Sequence, residues 1–464
     1  MKRNTPTWLL LPLILIAGCK SPDKSVAGSE DGIRIADNPH YFSTTSGDPF
    51  FWLGDTGWLL FVKTDREEAE KYLETRKQQG FNVIQVMVLH SLGGKNVYGD
   101  APLIEKDAAR PDTTAGNLFT DSLQYDFWDH VDYIVDKAAE KGIYMALVPV
   151  WGSNVKSGGV SVDQANAYAP FLADRYKNRS NIIWLNGGDI KGTDSTDVWD
   201  AIGNTLRRQD PHHLIGFHPF GRTQSSTWLH DAPWLDFNMF QSGHRTYAQD
   251  TARGAFGEDN WRYVAVDYQK TPVKPTLDGE PSYEGIPHGL HDSTQPRWKD
   301  ADLRRYAYWS VFAGSAGFTY GANAIMQFHR ATEPGGAYGV QQSWQEFLDA
   351  PGATQMVHLK ALMLSRPYFE RIPDQSVVAD QGERYNYQVA TRGKDYAFIY
   401  TYNGRNIKVN MGKTTGDQVE ATWYSPRDGA TTAIGDFPNK GVQEFDPPGE
   451  QEDGNDWVLK LDSK

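Results

Sequence analysis

The chain has 464 residues, a formal net charge of −13 and 13% aromatic residues. Its length is sufficient for a barrel domain and one smaller domain. The acidic balance argues against a nucleic-acid ligand, because phosphate binding needs a basic face.

The first 19 residues predict an export signal. Two basic residues precede a short apolar stretch that ends in Ile16-Ala17-Gly18-Cys19, and this stretch is too short to span a membrane. Small residues before a cysteine resemble a bacterial lipobox, so we expect acylation of Cys19 and an exported protein anchored to a membrane, at the outer membrane or cell surface. An ordinary signal peptide is the alternative. Residues 20–30 are small and polar and predict a flexible tether.

Residues 31–371 alternate between helix-like and strand-like segments. Apolar, mostly β-branched runs predict eight buried parallel strands, at residues 50–53, 81–89, 143–150, 181–185, 214–217, 234–240, 275–278 and 316–320. Helical periodicity lies between most of them. The pattern predicts an α/β fold, a (β/α)8 TIM barrel, with a small hairpin in residues 31–47 closing its base.

Residues 372–464 change character and predict a small all-β sandwich. Residues 396–402 and 407–411 alternate between apolar and polar around Asn403-Gly404, which is a hairpin signal. This domain is either a glycan-binding module or a structural cover of the barrel. The acidic segment 450–456 lacks the spacing of a calcium loop, so a solvated turn is favoured there.

Two carboxylates follow predicted strands. Asp189 comes after Trp184-Leu185-Asn186-Gly187-Gly188 at the fourth strand, and Glu280 follows Asp278-Gly279 at the seventh. The carboxyl ends of barrel strands meet at one rim, where ligands bind. Cleavage of a glycosidic bond needs one protonated carboxyl and one ionised carboxylate. We therefore assign Asp189 as the acid/base and Glu280 as the nucleophile, with Glu284 as the fallback nucleophile or a substrate-binding residue.

Other strand ends supply candidate substrate-binding residues. Their amide, imidazole, carboxylate and aromatic groups suit a polyhydroxylated ligand, although packing is the commoner role for each one alone. The candidates are Asp55, Trp58, Gln85, His90, Trp151, Asn186, His218, Gln241, His244, Glu284 and Tyr320.

Several motifs resemble those of the apiosidase-like glycoside hydrolases. They are Leu53-Gly54-Asp55-Thr56-Gly57-Trp58, Trp184-Leu185-Asn186-Gly187-Gly188-Asp189, Gly279-Glu280-Pro281-Ser282-Tyr283-Glu284-Gly285, and in the tail Trp423-Tyr424-Ser425-Pro426-Arg427-Asp428-Gly429 and Asp456-Trp457-Val458-Leu459. The resemblance implies a barrel with an Asp and Glu pair that releases apiose-linked side chains from the pectin rhamnogalacturonan II. It also implies a tail resembling a domain labelled collagen-binding, although no residue here supports a collagen ligand.

Other functions remain open at this point. The chain could be a glycosidase of the same fold acting on another plant or host glycan, or a glycan-binding surface lipoprotein without activity. A serine hydrolase is suggested by Ala313-Gly314-Ser315-Ala316-Gly317, a near match to a nucleophile elbow, but small residues packing the eighth strand explain it better. No zinc-binding helix motif or dinucleotide fingerprint is present, so we expect no metal and no cofactor.

Overall fold

The computed structural model describes residues 31–251, 254 and 256–464. The predicted signal segment 1–19, its lipidation site Cys19 and the tether 20–30 lie outside the described residues. Within the described ranges, no helix has the length and apolar character needed to cross a bilayer.

A small antiparallel sheet closes the base of the barrel, where the sequence predicts a hairpin. Its strands are β1 (Ile33–Ile35), β2 (Phe42–Thr44) and β3 (Pro49–Phe50). The Phe42 ring meets the Phe237 ring edge-on at 5.5 Å and lies 6.1 Å from the Trp52 ring. Phe237 precedes a barrel strand and Trp52 begins one, so these three aromatic side chains fill the end of the barrel opposite to the strands' carboxyl ends.

Eight parallel strands of the described chain form the predicted barrel, and a short ninth strand, β9, pairs antiparallel with β10. The hydrogen-bonded order is β8-β7-β6-β5-β4-β12-β11-β10-β9, and β8 lies beside β10 so that the barrel is nearly closed. The strands are β4 (Trp52–Thr56), β5 (Val83–Leu89), β6 (Tyr144–Val150), β7 (Ile182–Ile190), β8 (Ile215–Pro219), β9 (Thr223–Gln224), β10 (Asn238–Gln241), β11 (Thr276–Asp278) and β12 (Gly317–Tyr320).

Helices surround the barrel, and several begin with side-chain caps that their sequences encode. Asp65, Asp126 and Ser161 each form a capping box with the third residue of the following helix, which satisfies backbone N–H groups that the first turn leaves free. The helices are α1 (Leu60–Lys63), α2 (Arg66–Gln78), α3 (Phe127–Glu140), α4 (Gly152–Lys156), α5 (Val162–Tyr176), α6 (Thr196–Gln209), α7 (Ser226–Leu229), α8 (Trp261–Tyr268), α9 (Asp300–Phe312), α10 (Asn323–Met326) and α11 (Pro351–Leu364).

The C-terminal part contains two antiparallel sheets, as predicted, but not the predicted hairpin. The sheet orders are β13-β14-β15-β20-β17-β18 and β16-β19. Although the sequence favours pairing of β15 with β16, these strands lie in different sheets and bury Ile399, Ile407 and Val409 in one shared core. The strands are β13 (Ile372–Pro373), β14 (Val389–Arg392), β15 (Tyr396–Thr401), β16 (Ile407–Asn410), β17 (Gln418–Tyr424), β18 (Thr431–Pro438), β19 (Val442–Phe445) and β20 (Trp457–Ser463).

The barrel and the sandwich share an aromatic and charged interface. The Tyr308 ring of α9 stacks on the Tyr400 ring of β15 with centroids 4.8 Å apart. Arg304 of α9 contacts Asp456 at 2.8 Å, and both side chains are buried. The acidic segment predicted to be a solvated turn therefore places its last carboxylate, that of Asp456, in the interface, where Arg427 also contacts it at 3.0 Å.

Candidate active site

A cavity of about 470 Å3 opens at the carboxyl ends of the barrel strands. A volume of this size is typical of a small-molecule site, and the position is the one at which barrel enzymes bind their ligands. Carboxylate, imidazole and aromatic groups converge on it from several strand ends. The cavity is lined by Trp58, Leu59, Lys63, Met87, Trp151, Asp189, Gln241, His244, Glu280, Tyr283, Ile286, Leu290, Met326, Gln327, His329, Glu333, Pro334, Gly335, Gly336, Ala337 and Tyr338.

Asp189 reaches the cavity from an irregular end of β7. The pairing of β7 with β8 shifts register between Gly187 and Ile190, and Gly187, Gly188 and Asp189 all have positive φ angles, of 89°, 109° and 50°. A Cβ atom on Gly188 would lie 2.5 Å from the Trp151 ring. Two glycines are therefore needed to turn the chain so that the Asp189 carboxyl group points into the cavity.

Glu280 follows β11 and is held by two histidines. Its Oε1 lies 3.1 Å from Nε2 of His244, and its Oε2 lies 3.1 Å from Nε2 of His218. The backbone N–H of Asp189 donates to Nδ1 of His218 at 3.3 Å. Because Nδ1 of His218 is then an acceptor, Nε2 of the neutral ring carries the proton, and this atom lies within ion-pair distance of Glu280 without the geometry of a hydrogen bond. The structure thus links the two acids through one imidazole ring.

The surroundings shift the pKa values of the two acids in opposite directions. Burial and then the charge of Glu280 raise the pKa of Asp189 to about 6, although its carboxyl group is open to the cavity. Burial alone would raise the pKa of Glu280, but the close polar contacts with His218 and His244 outweigh it and lower the pKa to about 2. Near pH 5 the site therefore holds one protonated and one ionised carboxyl group.

Aromatic rings form the walls around this pair. The His218 ring lies 5.2 Å from the Trp58 ring and 5.6 Å from the Trp151 ring, measured between centroids. The Tyr283 ring meets the His244 ring edge-on at 4.8 Å. Both histidines are thus fixed by packing as well as by hydrogen bonds, and Trp58, Trp151 and Tyr283 also line the cavity.

The structure brings together only some of the candidate residues chosen from the sequence. Trp58, Trp151, Gln241 and His244 line the cavity beside Asp189 and Glu280. His218 is fully buried behind Glu280 and contacts it. His90, at the end of β5, is half-buried and does not line the cavity.

Asp55 and Tyr320 point away from the cavity, contrary to expectation. They are register partners on the adjacent strands β4 and β12, so their side chains lie on the same face of the sheet, which is the outer one. There Asp55 accepts from Nε of Arg76 and from the hydroxyl of Tyr72, each at 2.6 Å, and is fully buried. The sequence locates both residues at strand ends but does not reveal which face they occupy.

Glu284, Asn186 and Gln85 are also engaged elsewhere. Glu284 is buried and accepts from the hydroxyl of Tyr320 at 2.6 Å and from the backbone of Gly352 at 3.0 Å. It is therefore not placed as a nucleophile. Asn186 donates to the Trp199 carbonyl of α6 at 2.8 Å, and Gln85 donates to the Gly279 carbonyl inside the barrel at 2.8 Å.

Part of the cavity wall comes from the segment after β12, which the sequence reasoning missed. Residues 333–338 line the cavity, and Glu333 contacts Lys63, another lining residue, at 2.7 Å. Tyr338 faces the acid pair closely enough for the charges of Glu280 and Asp189 to add to the effect of burial in raising its pKa. The sequence signal that could have identified Tyr338 is an aromatic residue within a glycine-rich segment after the last barrel strand.

The serine-hydrolase alternative finds no support in the geometry. Ser315 is fully buried, and its hydroxyl lies 2.6 Å from the Gly317 carbonyl and 3.0 Å from the Thr276 carbonyl, so that it can donate to one or the other. Ser315 therefore packs the barrel and does not line the cavity.

One group of side chains in the described residues has a spacing compatible with a metal ion. Ligand atoms of Asp189, His218 and Glu280 all lie within 4.8 Å of one another. However, Nδ1 of His218 accepts a backbone hydrogen bond, so Nε2 carries a proton and is not free to bind a metal in the neutral ring. These three side chains fit a pair of acids positioned by histidines better than they fit a metal site.

A barrel that holds one protonated and one ionised carboxyl group close together has the arrangement of a glycoside hydrolase active site. The chain belongs to the apiosidase-like family, because the family model "Apiosidase-like, catalytic domain" matches residues 36–370. Residues 372–462 match the model described as "Putative collagen-binding domain of a collagenase".

Similar solved structures support the class of glycoside hydrolases. One named "Glycoside hydrolase" is 48% identical, with 94% of this chain and 98% of that chain covered and a TM-score of 0.89. A glycoside hydrolase family 5 protein from Bacteroides vulgatus is 45% identical, with 93% of each chain covered and a TM-score of 0.89. A search of curated proteins gives no match. The protein is therefore an enzyme that hydrolyses O-glycosyl bonds.

Proposed function

We propose that the protein is a retaining glycosidase that cleaves apiose linkages in the pectic polysaccharide rhamnogalacturonan II. The observation that carries the retaining mechanism is the close approach of the carboxylates: one oxygen of Asp189 and one of Glu280 lie within 4.8 Å of each other. Retaining enzymes separate their carboxyl groups by about 5–5.5 Å, whereas inverting enzymes need about 6.5–9.5 Å to admit a water molecule. The apiose linkage is supported by family membership.

In the proposed first step, Glu280 attacks the anomeric carbon while the proton of Asp189 moves to the departing glycosidic oxygen. The bond from carbon to that oxygen breaks, and a glycosyl ester forms on Glu280. In the second step, Asp189 takes a proton from water, the water oxygen attacks the anomeric carbon, and Glu280 departs as a carboxylate. The low pKa of Glu280 favours its departure, and the raised pKa of Asp189 favours its proton transfer.

Products released from a panel of plant and animal polysaccharides by the wild type and by Asp189→Asn test this proposal. The panel includes rhamnogalacturonan II, and Asp163→Asn, an exposed acid in α5, is the matched control. We expect apiose-terminated products from rhamnogalacturonan II with the wild type and the control only. Release from another glycan alone would leave a glycosidase of different specificity, and binding without release by any form would indicate a glycan-binding protein.

Proton NMR of the fresh product tests the stereochemistry. Retention is expected at the anomeric carbon, and early inversion would remove the nucleophile role from Glu280. Addition of azide offers a further check, because a small anion can replace the water that Asp189 activates. We expect azide to restore turnover of Asp189→Asn on a substrate with a good leaving group, with formation of a glycosyl azide.

We further propose that the protein is exported and anchored to a bacterial membrane through Cys19, at the outer membrane or cell surface. The support is the sequence Ile16-Ala17-Gly18-Cys19 after a short apolar stretch. Cys19→Ser should move the protein from the membrane fraction to the soluble fraction of cells, while an unchanged distribution would exclude acylation of this thiol as the anchor.

A further inference from the structure

Exposed apolar side chains concentrate in one segment of the described chain. Eleven large apolar residues of the described part are exposed, and six of them fall in the connection between β5 and α3. They are Val97, Tyr98, Ile104, Leu118, Phe119 and Leu123. Scattered exposed apolar residues are normal, but a concentration of them marks an interaction surface. We call residues 97–123 the β5–α3 loop.

The β5–α3 loop belongs to the same rim as the active site. It follows the carboxyl end of β5, whose Met87 lines the cavity. Lys63 also lines the cavity, and Arg66, three residues later, donates its backbone N–H to the Tyr98 hydroxyl at 3.0 Å. Three residues span at most about 10 Å, so Tyr98 lies near the edge of the cavity.

The rings of this loop are held in fixed orientations. The Arg66 guanidinium lies 4.0 Å from the centroid of the Phe119 ring and 4.8 Å from that of Tyr125. The Phe119 ring meets the rings of Tyr98 and Tyr125 edge-on at 5.4 Å and 5.0 Å. Phe119 nevertheless keeps 39% of its surface exposed. A fixed, exposed aromatic surface loses little conformational entropy when a ligand binds to it.

The chemistry of the loop fits a carbohydrate chain better than an anionic lipid surface. Exposed hydroxyl and amide side chains, those of Thr113, Asn117, Thr120 and Ser122, alternate with the apolar ones. Sugars need both kinds of contact, since their C–H faces are apolar and their hydroxyl groups form hydrogen bonds. The same loop has more acidic than basic residues, which disfavours an anionic membrane surface.

We propose that the β5–α3 loop is a binding platform for the polysaccharide chain that continues outward from the sugar held in the cavity. The inference rests on the proposed glycosidase function and adds to it a preference for long substrates over short ones. Phe119, Leu118 and Leu123 provide apolar contact with sugar rings outside the cavity. They do not touch the reacting atoms, so they affect the binding of the chain and not the chemical step.

Kinetics on two substrate lengths test the platform. Wild type, Phe119→Ala, the double variant Leu118→Ala/Leu123→Ala and the control Leu364→Ala, an exposed leucine at the end of α11, are compared on intact rhamnogalacturonan II and on its shortest fragment that the wild type cleaves. We expect KM on the polymer to rise by about threefold to tenfold in the two platform variants, with kcat and the fragment kinetics unchanged and the control unaffected.

The results of these kinetic measurements distinguish failure of the platform proposal from failure of the proposed glycosidase activity. Equal losses on polymer and fragment, or no loss on either, would overturn the platform while hydrolysis stands. The same would follow if Phe119→Ala converts a dimer to a monomer in size-exclusion chromatography without a change of KM, because the occupant is then a second copy. If Phe119→Ala does not fold, the double variant decides, since Leu123 is 82% exposed and has few contacts to lose.

If the wild type does not cleave rhamnogalacturonan II, a binding measurement tests the platform independently of hydrolysis. Asp189→Asn and Asp189→Asn/Phe119→Ala are compared by native electrophoresis in gels that contain each plant polysaccharide of the panel. The platform predicts that at least one polysaccharide retards the first protein and retards the second much less. No retardation of either protein, or equal retardation of both, would overturn it.

Discussion

Carboxylate oxygens of Asp189 and Glu280 lie within 4.8 Å of each other at the ends of β7 and β11. Two like charges at this distance would repel each other, and below about pH 6 the protein avoids this by holding a proton on Asp189. The charge of Glu280 is itself one cause of the raised pKa of Asp189, after burial. The titration of Asp189 therefore depends on the charge of Glu280.

The first prediction concerns the alkaline side of the pH profile. Asp189 must be protonated to act, so kcat/KM should fall by about tenfold per pH unit above pH 6. In Glu280→Gln the neighbouring charge is absent, and the pKa of Asp189 should be lower than in the wild type. Titration of Asp189 by carbon NMR in both proteins measures this difference, and an unchanged pKa would contradict the proposed coupling.

The second prediction concerns the acidic side. His244 lowers the pKa of Glu280, so His244→Ala should raise that pKa and move the loss of kcat/KM to higher pH as the solution is acidified. The wild type, with a pKa of about 2 for Glu280, should keep its activity down to the pH at which it unfolds. His358→Gln, which replaces a histidine of α11 outside the cavity, should leave the profile unchanged. A profile of His244→Ala identical to that of the wild type would show that this histidine does not stabilise the ionised nucleophile.

The third prediction concerns the backbone that carries Asp189. Gly188→Ala places a methyl group against the Trp151 ring at a positive φ angle, so Asp189 must shift. A displacement of about 1 Å can reduce kcat about 100-fold. The matched control is Gly158→Ala, which has a positive φ angle of 79° but no atom within 4 Å of the new methyl group. Similar kcat values for both variants would show that the contact with Trp151 is unimportant.

The fourth prediction separates stability from binding at Asp55. Asp55→Asn leaves the buried Arg76 without its charged partner, which typically costs about 3–5 kcal/mol of unfolding free energy. Because Asp55 does not line the cavity, KM should not change at a temperature where the variant is folded. Urea unfolding and steady-state kinetics give the two values, with Asp163→Asn as the exposed control. A raised KM together with wild-type stability would show that Asp55 binds substrate and does not stabilise the fold.

The sequence predicts the barrel well because its strands are buried on both faces and appear as continuous apolar runs. It also predicts that Asp189 and Glu280 lie at the same rim, since Asp189 is at the end of the fourth barrel strand and Glu280 follows the seventh. It fails at Asp55 and Tyr320, because a shift of one residue along a strand reverses the face, and an apolar run does not show which face is inward. Tyr338 could not be placed, because its position depends on tertiary contacts of a long loop.

The β15–β16 hairpin illustrates a second limit. Alternation around Asn403-Gly404 correctly indicates two strands and a turn, but it does not show whether the chain folds back within one sheet or crosses to the other. The Gln388 side chain, which donates to the carbonyls of Arg405 and Asn406 at 3.0 Å, holds the connection in its crossing path. This contact is distant in sequence and is invisible to a local pattern.

The stacked rings and the buried Arg304–Asp456 pair that join the barrel to the sandwich have a consequence for how this protein can be modified. The boundary between the two matched domains lies between residues 370 and 372. A cut there would expose the Tyr308 ring and leave the buried Arg304 without its partner Asp456. It would also remove Tyr385, whose hydroxyl donates to Glu258 at 2.9 Å. The isolated barrel should be insoluble when expressed alone. Exchange of the C-terminal domain with that of a relative should succeed only when these partners are transplanted together.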